Sequence, residues 1–141
     1  MKQRITILTL GVNDIQISRK FYENLGWKVA TEENADNIIG FNLVGMALVF
    51  FPKKKLEDDI TAALNSSGLS PFTLAYNTDT KEEVDSILEK VQLFGAKIIK
   101  PAQEVFWGGY SGYFSDPDDT LWEVAFNPYS LPKEDGSFEW K

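Results

Sequence analysis

The sequence carries one succession of elements twice, and this repeat constrains the fold more than any other feature. Each half is predicted to run strand, helix, strand, strand, strand. Asp14 and Asp79 stand at corresponding positions before the two helices, and Gly26 and Gly95 stand at corresponding positions after them. Because a repeated pattern of this kind marks a supersecondary unit that occurs twice, we expect two βαβββ modules.

The first module is predicted over residues 1–52. Segments rich in β-branched, aliphatic and aromatic residues predict four strands, over 4–10, 27–31, 38–43 and 46–51. Gly11 to Asp14 is predicted as a turn. Asp14 is a good N-cap for a helix that carries apolar residues at helical spacing and ends at Gly26.

A connecting segment is predicted over residues 53–70, with a short helix inside it. The second module is predicted over 71–128, and its first strand covers 72–77. Thr80 followed by Glu83 is a capping-box pattern that predicts the start of the second helix.

The rest of the second module is predicted as a strand over 96–100, a loop over 101–104, and two strands between Phe106 and Pro128. The last stretch combines glycines, aromatic residues and an Asp-Pro-Asp turn. Residues 129–141 form a tail rich in proline, glycine and charge, for which fraying is the simplest expectation.

The composition excludes several classes of function. The 141 residues include no histidine and no cysteine, so imidazole bases, cysteine nucleophiles, disulfides and His- or Cys-based metal sites are all excluded. The formal net charge is −7 without a basic patch, which argues against nucleic acid as a partner. No apolar run has membrane-spanning length and no signal peptide is predicted, so we expect a cytoplasmic protein without a membrane partner.

Three stretches of the sequence resemble the glyoxalase/bleomycin-resistance/dioxygenase superfamily, also called the vicinal oxygen chelate superfamily. They are Thr9 to Asp14, Ser18 to Trp27, and the closing signature from Phe106 to Pro128. The resemblance implies an α+β glyoxalase-like fold. In this fold the two modules, related by a pseudo-twofold axis, form a curled eight-stranded mixed sheet around a cleft. It also implies a homodimer.

The same resemblance implies where a metal would bind. In metal-dependent members, four strand positions supply the ligands, and they correspond here to Ile7, Ala47, Phe72 and Glu123. Three of these side chains have no lone pair to offer, and one carboxylate is a poor site for a divalent ion. We therefore expect no metal and no other cofactor, and we disfavour metal-dependent glyoxalase or extradiol dioxygenase activity. In the Asp-Pro-Asp turn, Asp119 replaces the usual glycine of the superfamily, and we expect the turn to tolerate it.

Glu123 is the central candidate for function because it is an acid inside an otherwise apolar strand. It is either a carboxylate held by Arg4, Arg19, a lysine or a tyrosine, or a cavity acid that accepts hydrogen bonds or acts as a base. The candidate ligand-binding residues are Ile7, Thr9, Ala47, Phe72, Tyr76, Trp107, Tyr110 and Glu123.

Three functions stay open from the sequence. The favoured one is metal-independent binding of a small molecule in an aromatic-lined cleft, with Glu123 as polar anchor. The second is a lyase or isomerase with Glu123 as general base and Tyr76, Tyr110 or Thr9 polarising an oxygen. The third is an interaction or regulatory module whose cleft is closed by its own side chains, such as Phe72 and Trp107.

Overall fold

The chain divides into two compact units, Met1–Ser67 and Gly68–Lys141. The computed structural model describes residues 5–30, 32–61, 64 and 72–138. The boundary between the units falls inside the segment predicted as the linker, and the finer bounds of the modules and tail stay predictions.

The first unit combines a mixed three-stranded sheet with two helices. Its elements are β1 (Ile7–Val12), α1 (Ile15–Asn24), β2 (Ile39–Leu43), β3 (Met46–Pro52) and α2 (Lys53–Ile60). The strand order is β1-β3-β2, in which β1 runs parallel to β3 and β2 runs antiparallel to β3. The short helix expected in the connecting segment is therefore present as α2.

Helix α1 begins where its N-cap predicts. The Asp14 carboxylate accepts hydrogen bonds from the backbone N–H groups of Gln16, at 2.9 Å, and Ile17, at 3.1 Å. The buried Tyr22 ring packs against Phe41 and Phe50 of the sheet, with ring centroids 5.8 and 4.8 Å away. This aromatic contact fixes one face of the first sheet against α1.

The second unit repeats the same connections with one more strand. Its elements are β4 (Thr73–Thr78), α3 (Lys81–Leu93), β5 (Lys97–Glu104), β6 (Tyr110–Ser115) and β7 (Leu121–Phe126). The strand order is β4-β7-β6-β5, with β4 parallel to β7 and the other pairs antiparallel. In both units the first and last strands are parallel neighbours, as expected for tandem βαβββ modules.

Helix α3 is capped by Thr80, whose hydroxyl oxygen accepts a hydrogen bond from the N–H of Glu83 at 3.2 Å. The Glu83 carboxylate accepts from the N–H of Asp79, at 3.1 Å, so the reciprocal bond reaches one residue further back than in the usual capping box. The buried side chains Val84, Leu88 and Val91 lie on one side of the helix. Helix α3 contacts the strands of the second sheet through this side.

The described part of the chain contains seven strands in two sheets. The predicted strand over 27–31 is reduced to a single bridge in its described residues 27–30, and residue 31 lies outside the described residues. Val29 pairs with Phe41, and the N–H of Ala30 donates to the carbonyl of Gly40 at 2.7 Å. The segment has a pairing partner on one side only, and the chain turns away over residues 33–37. The joining of both sheets into one curled sheet around a cleft stays a prediction.

Two other boundaries were predicted wrongly. The segment 101–104 is part of β5 rather than a loop, although the register of β5 against β6 shifts on both sides of Lys100. Proline has no N–H to donate, so Pro101 disturbs the pairing without ending the strand. Likewise, Gly11 and Val12 belong to β1 rather than to a turn.

No helix in the described ranges is both long enough and apolar enough to cross a membrane.

Gly112 tests the packing of α3 on the second sheet. A Cβ at this position would lie 2.5 Å from Leu88 Cδ1, 2.9 Å from the Ala102 nitrogen and 3.0 Å from the Lys100 oxygen. Two of these atoms belong to the backbone, so we expect Gly112→Ala to lower the free energy of unfolding by about 1–3 kcal/mol. Urea unfolding followed by circular dichroism measures it.

Gly40→Ala is the matched control, because a Cβ there would meet only Val49 Cγ2, at an ordinary 3.7 Å. Equal stability of the two variants would contradict the close approach of α3 to Gly112.

Candidate functional site

Each sheet has one face that packs on a helix, and Glu123 lies on the other face of the second sheet. We name the side of this sheet that packs on α3 the helix face. A Cβ placed on Gly112 would point to this side and meet Leu88 of α3. We name the opposite side the Glu123 face. By strand register it comprises Thr73, Ala75 and Asn77 of β4, Leu121, Glu123 and Ala125 of β7, and Ser111, Tyr113 and Ser115 of β6.

A row of three polar side chains crosses the Glu123 face. Tyr113 of β6 pairs with Glu123 of β7, and Lys100 of β5 pairs with Tyr113 on its other side. The Tyr113 phenol and the Glu123 carboxylate are thus cross-strand neighbours that interact with each other. The Lys100 ammonium lies 5.8 Å from the centroid of the Tyr113 ring, within the range of a cation–π contact. All three residues are half-buried.

The environment keeps Tyr113 neutral. Burial, followed by the interaction with the neighbouring Glu123 carboxylate and by its negative charge, raises the pKa of Tyr113 from 10.0 to about 12. The phenol therefore keeps its proton at neutral pH.

The turn between β6 and β7 sets the register of this row. The buried Asp116 accepts, through Oδ1, hydrogen bonds from the N–H groups of Asp118 and Thr120, both at 2.9 Å. Asp119 adopts a φ of 60°, the left-handed conformation that the usual glycine would take. The turn is therefore intact despite the replacement of glycine.

In the first unit, the structure brings three predicted site residues together. Ile7 pairs directly with Ala47, and Thr9 follows Ile7 by two positions on the same side of β1. This side is opposite the buried side chains Leu10 and Leu48, and Ile7 is 58% exposed. A ligand-binding role for Ile7, Thr9 and Ala47 stays a prediction.

In the second unit, the structure places two of the predicted aromatic residues, Tyr76 and Tyr110, away from Glu123. Tyr76 pairs with Val124, so its side chain lies on the helix face. The Tyr110 hydroxyl donates to Asp85 of α3 at 2.9 Å, which also raises the pKa of Tyr110. Trp107 lies over Gly109, where a Cβ would overlap its ring.

Phe72 was matched to Ile7 through an alignment that the structure corrects. Thr80 rather than Asp79 is the N-cap of α3, so the counterpart of Asp14 moves by one residue. The residue that pairs with Glu123 is Ala75, whereas Phe72 lies just before β4 and is 46% exposed. The side chain next to Glu123 on β4 is thus a methyl group.

Tyr113 and Lys100 were missed from the sequence. A usable signal existed for Tyr113, because Tyr113 and Glu123 are equally distant from Asp118 at the centre of the turn. For Lys100 no comparable signal existed, since the irregularity around Pro101 makes the register of β5 unreadable from spacing.

The residues present do not fit the divalent metal of the superfamily. Glu123 is the one carboxylate among the implied ligand positions, Ile7 and Ala47 are apolar, and the residue beside Glu123 on β4 is Ala75. Across the described ranges, no group of three or more His, Cys, Asp or Glu side chains could hold a metal ion. The neighbour of this carboxylate on β6 is a phenol.

Comparison with known proteins identifies the superfamily to which the chain belongs. Residues 4–124 match the family model of the Glyoxalase/Bleomycin resistance protein/Dioxygenase superfamily. The chain belongs to this superfamily, which confirms the resemblance. Among curated proteins, no sequence matches the chain.

Solved structures agree with this assignment. A glyoxalase-related enzyme from Fulvimarina pelagi is 31% identical, with a TM-score of 0.91 and 99% of both chains covered. A glyoxalase/bleomycin resistance protein/dioxygenase family enzyme from Burkholderia phytofirmans is 21% identical, with a TM-score of 0.77 over 86% of this chain and 96% of that one. The fosfomycin resistance protein of Listeria monocytogenes is also 21% identical, with a TM-score of 0.69 over 90% and 95%. The last two establish similarity of fold alone.

The pKa of Tyr113 tests whether this side chain and Glu123 interact. Its raised pKa means that its contribution to stability is complete below about pH 10 and is lost as the pH rises through about 12. In Glu123→Gln we expect the pKa of Tyr113 to fall but to stay above 10.0. Burial is the largest cause of its raised pKa, and the substitution leaves the burial in place. Carbon NMR of ring-labelled tyrosine across the alkaline range measures it, with Tyr113→Phe to assign the signal. An unchanged pKa of Tyr113 in Glu123→Gln would contradict the interaction between the two side chains.

Proposed function

We propose that the protein binds a small molecule on the Glu123 face without a metal ion, and that the Glu123 carboxylate is the polar anchor. The observation that carries this proposal is that a half-buried carboxylate has a neutral phenol as its neighbour on β6 and forms no ion pair among the described residues. A carboxylate has about four lone-pair sites, and one phenol can occupy only one of them. Glu123 therefore keeps acceptor capacity for a ligand.

A structural role through an ion pair would give Glu123 a positively charged partner. Arg19, one of the candidates, is paired instead with Glu23 at 3.0 Å and Glu32 at 2.7 Å. Among the described residues, no ion pair involves Glu123, and Arg4 lies outside them. The half-exposed position further supports contact with something from solution.

The net charge of the chain and the names of similar proteins support a polar or cationic ligand. The formal net charge is −7, which favours the approach of cations. Bleomycin resistance appears in the name of the superfamily, and a protein of similar fold is named for fosfomycin resistance. We further propose that the protein acts in the cytoplasm as a homodimer, as the superfamily resemblance implies.

The enzymatic alternative is a lyase or isomerase with Glu123 as base. It loses the support of Tyr76 and Tyr110, which lie away from Glu123, whereas the role of Thr9 stays a prediction. The structure adds Tyr113 as a hydroxyl that could polarise a substrate oxygen. In that case Glu123→Gln would abolish turnover, whereas an anchor would mainly affect binding.

A ligand screen tests the proposed function. We expect at least one compound from a thermal-shift screen of polar and cationic metabolites, with bleomycin included, to raise the melting temperature of the wild-type protein. Its affinity should fall about tenfold in Glu123→Gln, as expected for the loss of one charge-assisted hydrogen bond. Isothermal titration calorimetry measures the affinities.

Glu89→Gln on α3 is the matched control, because it removes the same charge from an exposed site on the other side of the sheet. A ligand bound equally well by wild type and Glu123→Gln would argue against the anchor.

A further inference from the structure

We propose that Lys100 is a second charged contact of the site, and that the ligand is zwitterionic, with its anionic group at Lys100 and its cationic group at Glu123. This inference rests on the proposed function and adds to it a ligand class and a specificity residue.

The geometry of the row supports two separate charged contacts. Lys100, Tyr113 and Glu123 are cross-strand neighbours on β5, β6 and β7. Because adjacent strands lie about 4.8 Å apart, the backbones at Lys100 and Glu123 are roughly 10 Å apart. Among the described residues, these two charges form no ion pair with each other. The neutral phenol between them separates a cationic end from an anionic end.

The ion pairing of neighbouring lysines distinguishes Lys100. Lys81 pairs with Glu104, at 2.5 Å, and Lys97 pairs with Asp119, at 3.5 Å. Within the described ranges, Lys100 has no carboxylate partner, and its ammonium contacts the Tyr113 ring instead. A half-buried cation without a counter-charge can accept an anionic ligand group.

The same argument disfavours a simple cation as ligand. An amine bound at Glu123 would lie at about the Debye length from the Lys100 ammonium. The Debye length is about 8 Å at physiological salt. The two positive charges would then repel each other. A ligand that also carries a carboxylate removes this repulsion and satisfies both ends of the row.

Ser115 adds an independent observation on the same face. It follows Tyr113 by two positions on β6 and is fully buried, and its hydroxyl has no hydrogen-bond partner among the described residues. Buried hydroxyl groups are normally satisfied. The polar atoms of this face are therefore not all satisfied by the described residues.

Simple amino acids of graded length serve as probes. We would use γ-aminobutyrate and ε-aminocaproate as zwitterions, with caproate and hexylamine as the singly charged counterparts of the longer one. Proton–nitrogen NMR titration of the full chain reports both the affinity and the residues affected. We expect at least one zwitterion to bind more tightly than caproate and hexylamine, with shifts centred on Lys100, Tyr113 and Glu123.

Variants then separate the two ends of the row. Lys100→Gln should weaken binding of the zwitterion and of caproate about tenfold and leave hexylamine unweakened, whereas Glu123→Gln should weaken the zwitterion and hexylamine but not caproate. Lys100→Arg should retain binding because it keeps the charge. Lys90→Gln, an exposed lysine on α3, is the charge-matched control and should change nothing.

The outcomes distinguish this inference from the proposed function. If Lys100→Gln binds the zwitterion as well as wild type does while Glu123→Gln does not, Lys100 has no role and the anchor function of Glu123 stands. If hexylamine binds as tightly as the zwitterions, the ligand class is wrong. If neither zwitterion binds the wild-type protein saturably, the inference is overturned, and the metabolite screen decides the anchor function on its own.

Discussion

The register between β6 and β7 is the constraint on which the site depends. Side chains alternate between the two faces of a strand, so a slip of one residue would move Glu123 to the helix face and bring its neighbours to the opposite side. The Asp116 carboxylate prevents this slip by holding two backbone N–H groups of the turn. The position of an acid in the site therefore depends on a second acid that is buried away from it.

Without histidine, the Glu123 face has a different chemistry from a metal site of the same fold. A metal would require several lone pairs directed at one point, whereas the described residues offer a donor, an acceptor and a cation spread along one row. Such a row recognises a ligand by the order of its polar groups. The raised pKa of Tyr113 preserves this order, because a tyrosinate in the middle would repel Glu123 and attract Lys100.

The sequence predicted the repeated modules, the helix starts and the superfamily, because these follow from local patterns. Asp14 and Thr80 cap the helices that they were expected to cap, and the parallel pairing of the first and last strands is the same in both units. The composition of the site was predicted less well. The side of β4 that carries Tyr76 depended on the register of two strands that pair residues 48 positions apart, and the misaligned N-cap placed Tyr76 on the wrong side. Lys100 depended on a bulge that leaves no periodic signal.

The irregular strand β5 also has a consequence for how the molecule associates. It is the outermost strand in the order β4-β7-β6-β5, where a regular strand would offer unpaired backbone groups to another chain. Pro101 removes one donor from this strand, its register shifts twice, and its charged side chains would have to be brought close to those of an incoming strand. Growth of the sheet by strand addition is thereby disfavoured at β5, so an assembly of two copies would have to use another surface.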